Sequence, residues 1–353
     1  VRILITGAAG FLGSRFADWI LRNHPECEVV GLDDLSGGFV ENVPSGVEFH
    51  IVRLGARTNG LARVFAKPVE LVYHFAAYAA EGLSPFIRCH NYINNVVGTA
   101  QLLNAVLQQG QTRRFIYTSS MAVYGRGRVP FDETHERRPI DPYGAAKTTC
   151  EVDLEIAGEQ HGLDWCVIRP HNVYGPGQNI WDPYRNVFGI WLNRRMQNLP
   201  LRIYGDGEQR RAFSWIDDCL PCLWEAGISP LASRQIINLG GKSPISLNEA
   251  VLYFTAAAGQ VGISYEPGRH EVKEAWCTWQ RAVGLLGYSE TAPLVEGLRQ
   301  MAAWALEAWD RYPERRKPKT PRIEMDRGLY PFWRDDQNGN APNAASAQCH
   351  CGA

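Results

Sequence analysis

The sequence lacks any apolar run of about 18 residues, so no membrane-spanning helix is expected. It also lacks an excess of either charge. Lys plus Arg number 36 and Asp plus Glu 37, a net charge of −1, which excludes a strongly basic nucleic-acid binder. Nine cysteines in 353 residues are odd in number and too sparse for a disulfide framework, so a reduced, cytoplasmic setting is expected. No signal peptide is expected, because Val1–Thr6 is too short for an apolar core and runs straight into Gly7. No internal repeat is visible. Hydrophobic residues at 45% and charged residues at 21% exclude wholesale disorder.

Two motifs are discounted. Gly240-Gly241-Lys242-Ser243 resembles the end of a phosphate loop, but Ile236 stands where the loop's first glycine must be. Cys219 and Cys222, with Cys349-His350-Cys351, have the residue types of a zinc site. The first pair falls on a helix after Trp215–Asp218, where small buried residues are expected, so no metal is assigned.

What is present is an alternation of short β-branched runs with helical stretches. Strands are expected at Arg2–Thr6, Glu28–Asp33, Val47–Val52, Leu71–Phe75, Arg114–Ser119, Asp164–Arg169 and Ile236–Leu239. Helices are expected at Gly10–Arg22, Tyr92–Gln109 and Tyr143–His161. The strands alternate poorly, as strands covered on both faces do, so the pattern predicts a doubly wound parallel α/β sheet. This domain is expected from residues 1–169 and 213–240, and a smaller substrate domain from 170–212 and 241–312. Residues 313–353 are an extension in which Leu329–Trp333 is aromatic enough to dock, while 335–353 is expected to be disordered.

The first strand runs into Thr6-Gly7-Ala8-Ala9-Gly10-Phe11-Leu12-Gly13, which opens a helix. Glycines there allow a tight turn, close approach of a pyrophosphate and close helix–strand packing. Asp33 ends the second strand, where a carboxylate bonds ribose hydroxyls and repels a 2′-phosphate, favouring NAD over NADP. Tyr143 and Lys147 are spaced i,i+4 and so share a helix face, and Ser120 ends the fifth strand. A free phenol with a pKa of about 10 is a poor base, and a neighbouring ammonium is expected to lower it. Tyr143, Lys147 and Ser120 are the candidate catalytic residues.

With these motifs the chain resembles the extended short-chain dehydrogenase/reductases, especially the nucleotide-sugar epimerases of the UDP-glucose 4-epimerase kind. The carrying segments are TGAAGFLG (6–13), LDDLS (32–36), HFAA (74–77), NNVVGT (94–99), TSSMAVYG (118–125), PYGAAK (142–147), RPHNVYGPG (169–177) and YGDGEQRRAF (204–213), covering roughly residues 2–310. The resemblance implies cofactor contacts from Gly7, Gly10, Phe11, Leu12, Gly13, Asp33, Asp34, Leu35, Ser36, Phe75, Ala76, Ala77, Ser119, Tyr143, Lys147 and Pro170, with support from Asn95. It implies substrate contacts from Tyr78, Ser120, Met121, Asn172, Arg211 and Arg269, the two arginines suiting phosphate oxygens. His171 stands where the family has an aromatic, as a sugar contact or a pocket wall.

Three departures qualify the resemblance. Val52-Arg53 replaces the Gly-Asp that contacts adenine in relatives, leaving Arg53 to stack on the ring or face solvent. Ala79 stands in place of a phosphate-contacting lysine. Met121 follows Ser120 where the family's 4,6-dehydratases carry an acid pair, so water elimination lacks its proton donor and base. The resemblance therefore implies an NAD-dependent 4-epimerase acting on a nucleotide-diphosphate sugar through a 4-keto intermediate, and a homodimer. The alternatives are a nucleotide-sugar dehydratase or 3,5-epimerase-like enzyme, or a non-catalytic NAD-binding sensor or scaffold. If solvent protons entered the sugar, Glu81, just after the HFAA segment, is the first candidate for the acid.

Overall fold

The computed structural model describes residues 1–56, 59–317 and 320–337. Seven parallel strands form one sheet: β1 (Arg2–Thr6), β2 (Glu28–Asp33), β3 (Glu48–Ile51), β4 (Leu71–His74), β5 (Arg114–Thr118), β6 (Trp165–Pro170) and β7 (Gln235–Leu239). Their spatial order is β7–β6–β5–β4–β1–β2–β3, so the fold is the expected doubly wound α/β sheet. The chain starts at β1, moves outward to β3, then returns to β4 on the other side of β1. That reversal opens a crevice at the carboxyl ends of β1 and β4.

Both faces of the sheet are covered. Ile3 and Ile5 point to one face, where α1 (Phe11–Asn23) packs through Phe16, Ala17 and Ile20. Leu4, between them, points to the other. There α2 (Arg88–Gln109) contributes Leu102, Leu103 and Val106, and α3 (Pro142–His161) contributes Cys150, Leu154 and Ala157. This period-2 division inside a continuous apolar run explains why β1 shows no polar alternation. The helix expected from Tyr92 begins earlier, at Arg88, and carries a π-type turn at Ile93–Val97.

The later segments add α4 (Val187–Met196), α5 (Ile216–Ile228), α6 (Leu247–Ala258) and α7 (Leu294–Arg311). Of these, α5 returns to the sheet beside α1, while α4, α6 and α7 pack around Trp191, Phe254 and Met301. A short parallel pair, Leu201–Tyr204 with Ile263–Glu266, stands beside them. Arg210–Arg211 is held between Ile245–Ser246 and Glu274–Ala275.

The C-terminal extension docks. Leu329, Phe332 and Trp333 bury against Tyr78, Leu83, Phe86, Tyr184 and Tyr204, and the Phe332 ring lies tilted 4.7 Å from the Tyr204 ring. The Glu324 carboxylate accepts the Cys89 and His90 amides, both at 2.8 Å, at the start of α2. A helix at Pro331–Gln337 takes in the first three residues of the expected disordered stretch, and 338–353, with Cys349 and Cys351, lie outside the described residues.

Candidate active site

The crevice widens into a cleft of about 620 Å³ that joins the glycine turn, the Tyr143 helix and the arginines of the later segments. At the turn, Gly7 adopts φ +72°, a left-handed conformation, and a Cβ on Gly13 would lie 2.1 Å from the Gly7 carbonyl oxygen. Gly38, in the loop after β2, is equally tight: a Cβ there would sit 2.5 Å from the Ala9 carbonyl carbon. The Asp33 carboxylate accepts the Ala9 amide at 3.0 Å and the Leu35 amide at 2.8 Å, which pins it at the end of β2. Burial raises its pKa. This cradle, with a fixed acceptor facing it, fits an adenine dinucleotide: the turn would take the pyrophosphate and Asp33 the ribose hydroxyls.

The start of α3 is built by its own sequence. Asp141 caps it by accepting the Gly144 amide at 2.9 Å, Pro142 occupies the first helical position, and left-handed Gly162 ends it. Tyr143 and Lys147 then face the cleft together, with Lys147 Nζ 5.8 Å from the Tyr143 ring centre and 4.8 Å from that of Tyr117. Lys147 Nζ donates to the Thr118 carbonyl at 2.7 Å. Burial pushes Lys147 down to about 8. For Tyr143, burial is also the largest effect and raises its pKa, while the Ser120 hydroxyl pulls it down. The expected lowering by a lysine charge is therefore not what dominates here: desolvation holds both groups toward their neutral forms.

Most of the predicted residues line this one cleft. Gly7, Gly10, Phe11, Leu12, Gly13, Asp33, Asp34, Ser36, Phe75, Ala76 and Ala77 do so on the dinucleotide side. Tyr78, Ser119, Ser120, Tyr143, Lys147, Pro170, Asn172, Arg211 and Arg269 line the rest. Three do not. Leu35 turns away at φ +58°, giving only its amide to Asp33. Asn95 is buried behind the wall, where its amide bonds both backbone groups of Tyr78, at 2.8 and 3.1 Å, so it supports without touching. Met121 lies outside because Ser120 Oγ accepts the Ala122 amide at 3.1 Å and starts a turn that packs Met121 against Val123, Tyr124, Phe131 and Cys277.

Arg211 is more committed than expected. Its guanidinium donates to the carbonyls of Arg210, Val272 and Lys273 at 2.8, 2.7 and 3.1 Å. Arg269 stacks on Tyr204 at 4.0 Å, and both arginines approach the Glu271 carboxylate, at 3.6 and 3.3 Å. Arg53 is exposed to solvent while its neighbours Val52 and Leu54 line the cleft. His171 is fully buried against Gly240 and does not line it. Cys219 and Cys222 are buried thiols, and no metal-binding cluster occurs among the described residues.

Sequence reasoning missed the shell behind the site. Glu151 bonds Arg169 through both oxygens, at 2.9 and 2.6 Å, and accepts the Ser119 hydroxyl at 2.5 Å, all fully buried. Ser84 Oγ accepts the Tyr143 amide at 3.1 Å and donates to the Glu81 carbonyl at 2.7 Å. Asn91 donates to the Pro142 carbonyl at 2.9 Å. The Asp-Pro-Tyr cap signature was there to read, but nothing local in the sequence joins Glu151 to Arg169 or Ser84 to Tyr143.

Residues 3–240 match the family described as NAD dependent epimerase/dehydratase. The chain belongs to that family. Within it, the chain is 34% identical over 313 residues to a UDP-glucose 4-epimerase of Mycolicibacterium smegmatis, spanning 84% of this chain and 96% of the relative. The fold is similar to UDP-glucose 4-epimerase from Thermotoga maritima, solved with UDP-glucose, at a TM-score of 0.81 and 28% identity, covering 87% and 99% of the two chains. It is similar also to UDP-glucuronic acid 4-epimerase from Bacillus cereus, solved with UDP-glucuronic acid and NAD, at 0.80 and 27%, again covering 87% and 99%. As a member of an NAD-dependent family, the chain uses NAD, which the glycine turn and Asp33 fit.

Proposed function

We propose that this protein is an NAD-dependent 4-epimerase of a nucleotide-diphosphate sugar. The observation that carries the reading is the convergence of Tyr143, Lys147 and Ser120 with the glycine turn and the Arg211–Arg269 pair on one cleft. Bound NAD supplies the hydride acceptor and donor at carbon 4. Tyr143 acts as the phenolate, steadied by the Ser120 hydroxyl: it takes the hydroxyl proton, becoming the phenol, and returns that proton at the end of the cycle. Lys147, anchored on the Thr118 carbonyl, holds an ammonium beside the Tyr143 ring and would bond a ribose hydroxyl of bound NAD. Asn172 and Arg269 hold the diphosphate, with Arg211 fixing the 272–273 backbone that carries the neighbouring wall. With the diphosphate held, the sugar ring would be free to turn and present its other face to the same Tyr143 and Ser120.

A substrate deuterated at carbon 4 tests this directly. The label is expected to survive epimerisation of UDP-glucose, and no solvent deuterium is expected at carbons 5 or 6. Solvent label in the ring would overturn simple 4-epimerisation in favour of a dehydratase or 3,5-epimerase, and would make Glu81 and Asp141 the acids responsible, since Met121 stands outside the cleft. Absence of any turnover with full NAD occupancy would favour a sensor or scaffold.

The assembly proposed is a homodimer. On α2 and α3, the apolar side chains of Tyr92, Ile93, Val97, Val152 and Ile156 are all exposed, which suits pairing of these helices with their copies. Val97→Glu with Ile156→Glu is expected to give a monomer in sedimentation. No described helix is long and apolar enough to cross a membrane, and the seven described cysteines are all free, which supports a cytoplasmic location.

A further inference from the structure

Glu81 begins a helical turn, Glu81–Phe86, that follows β4 and faces the cleft. The turn is tied to the Tyr143 helix by one hydroxyl. Ser84 Oγ donates to the Glu81 carbonyl at 2.7 Å, accepts the Tyr143 amide at 3.1 Å and lies 3.4 Å from the Asp141 carboxylate. Two carboxyls are thereby set beside the phenol, and both act on it as negative charges. Asp141 is occupied in capping α3. The Glu81 carboxyl closes no hydrogen bond or ion pair among the described residues and opens on the cleft.

The cations around it are already engaged. Arg185 pairs with Asp182 at 2.9 Å and lies 4.7 Å over the Tyr78 ring. Arg211 is tied to backbone carbonyls, and Arg211 and Arg269 share Glu271 and face the position argued above for a diphosphate. A second anion introduced next to Tyr143 would meet Glu81 and Asp141, and the guanidinium that also acts there, Arg185, already has Asp182 as its counter-charge. Uncharged hydroxyls would instead find a strong acceptor in the same place.

We propose that Glu81 determines the sugar class: the cleft takes a nucleotide sugar with an uncharged hexose, whose hydroxyls hydrogen-bond the Glu81 carboxylate, and rejects the corresponding hexuronate. This rests on the nucleotide-sugar reading of the site. It separates the chain from the similar fold solved with UDP-glucuronic acid and aligns it with the one solved with UDP-glucose. Discrimination follows from an element that repels the wrong ligand as much as from one that attracts the right one.

The idea also has a pH signature. Glu81 faces Asp141 and Tyr143 from α3, Arg185 from the segment before α4, Arg211 from the short strand, and Arg269, His270 and Glu271 from the loop beyond. Desolvation by the surrounding cleft walls, with the Asp141 charge adding to it, pushes Glu81 up to about 7 although the residue keeps access to solvent. Its negative charge, and with it the rejection of a uronate, grows between pH 6 and pH 8. The uronate's own carboxylate is ionised throughout that range.

The test compares kcat/KM for UDP-glucose and UDP-glucuronate on the NAD-bound protein and its Glu81→Gln and Glu81→Ala variants. Wild type is expected to favour UDP-glucose by at least ~100-fold at pH 8, as juxtaposed like charges demand. Glu81→Gln, which keeps size and hydrogen bonding, is expected to narrow that ratio at least ~10-fold and to abolish its change between pH 6 and 8. Glu81→Ala is expected to narrow it while raising KM for UDP-glucose. A wild-type ratio near one, or an unchanged ratio in Glu81→Gln, overturns the proposal. If neither sugar is turned over, the epimerase reading has failed, and calorimetry of the two UDP-sugars still decides on Glu81: weaker binding of UDP-glucuronate supports its role and equal binding overturns it.

Discussion

At Tyr143 a phenol has to release a proton in a place where burial opposes its ionisation. The opposing aids are the Ser120 hydroxyl and the Arg185 charge, while the Lys147 ammonium near the ring is itself weakened by burial. Tyr143→Phe is therefore expected to keep the fold and NAD binding but lose at least ~10²-fold in kcat, since the other phenol beside Lys147, Tyr117, is buried and does not line the cleft. Wild-type turnover in that variant would sink the assignment. Lys147→Met is expected to be as severe, and it carries a second readout. Lys147 titrates near 8 in the folded protein and at its ordinary 10.5 unfolded, so between these values the unfolded chain binds more protons. The cost of holding this lysine is thus fully present below pH 8 and is relieved as pH rises toward 10.5. The stability of Lys147→Met relative to wild type should accordingly decline across that window in urea unfolding at stepped pH, and a difference that stays flat would contradict a buried ammonium. Asp33 makes a separate prediction: calorimetry of cofactor-stripped protein should show NAD binding tighter than NADP, with Asp33→Ala narrowing the gap.

Among the elements, the glycine turn and the C-terminal extension set opposite ends of the cleft. Gly13→Ala would place a methyl 2.1 Å from the Gly7 carbonyl oxygen, a clash with backbone that no flexible side chain can relieve. Loss of NAD binding with most of the fold retained is the expected result, read by cofactor content after purification. The extension works by packing rather than by backbone shape. Trp333 is 1% exposed, and its segment spans from Phe86 and the start of α2 to Tyr204 and the Arg269–Glu271 loop, where the Tyr330 hydroxyl accepts the His270 amide at 2.8 Å. It therefore ties the segment around Phe86 to the wall that carries Arg269. Trp333→Ala should raise KM for the nucleotide sugar several-fold while leaving NAD affinity unchanged, because Trp333 touches the substrate wall and not the glycine turn. A KM identical to wild type would show the extension to be passive.

Across the whole molecule, the buried Arg169–Glu151 pair joins β6 to α3 behind Ser119 and so couples the sheet to the Tyr143 helix. Removing one partner leaves the other charge buried and unpaired, so Glu151→Ala is expected to cost about 3–5 kcal/mol in denaturant unfolding. A cost below ~1 kcal/mol would mean that water reaches the arginine. The sequence by itself determined the sheet, because continuous apolar runs between amphipathic helices leave few alternatives to strands buried on both faces. It determined the dinucleotide turn and the Tyr143–Lys147 face as well, since both are local: a few glycines after a strand, and two residues one helical turn apart. Strand and helix ends shifted by a few residues, as at Arg88, because backbone bonding and not side-chain pattern ends an element. What only the tertiary structure decided is everything made by residues distant in sequence. Met121 left the cleft because Ser120 turned the backbone, and Asn95 became a support because β4 and α2 meet there. Arg211 became a backbone anchor, and Glu81 came to stand beside Asp141 and Tyr143 through Ser84. In each case the deciding contact spans separate elements, and the direction and burial of a side chain at such a meeting are set by packing rather than by its own neighbours in the chain.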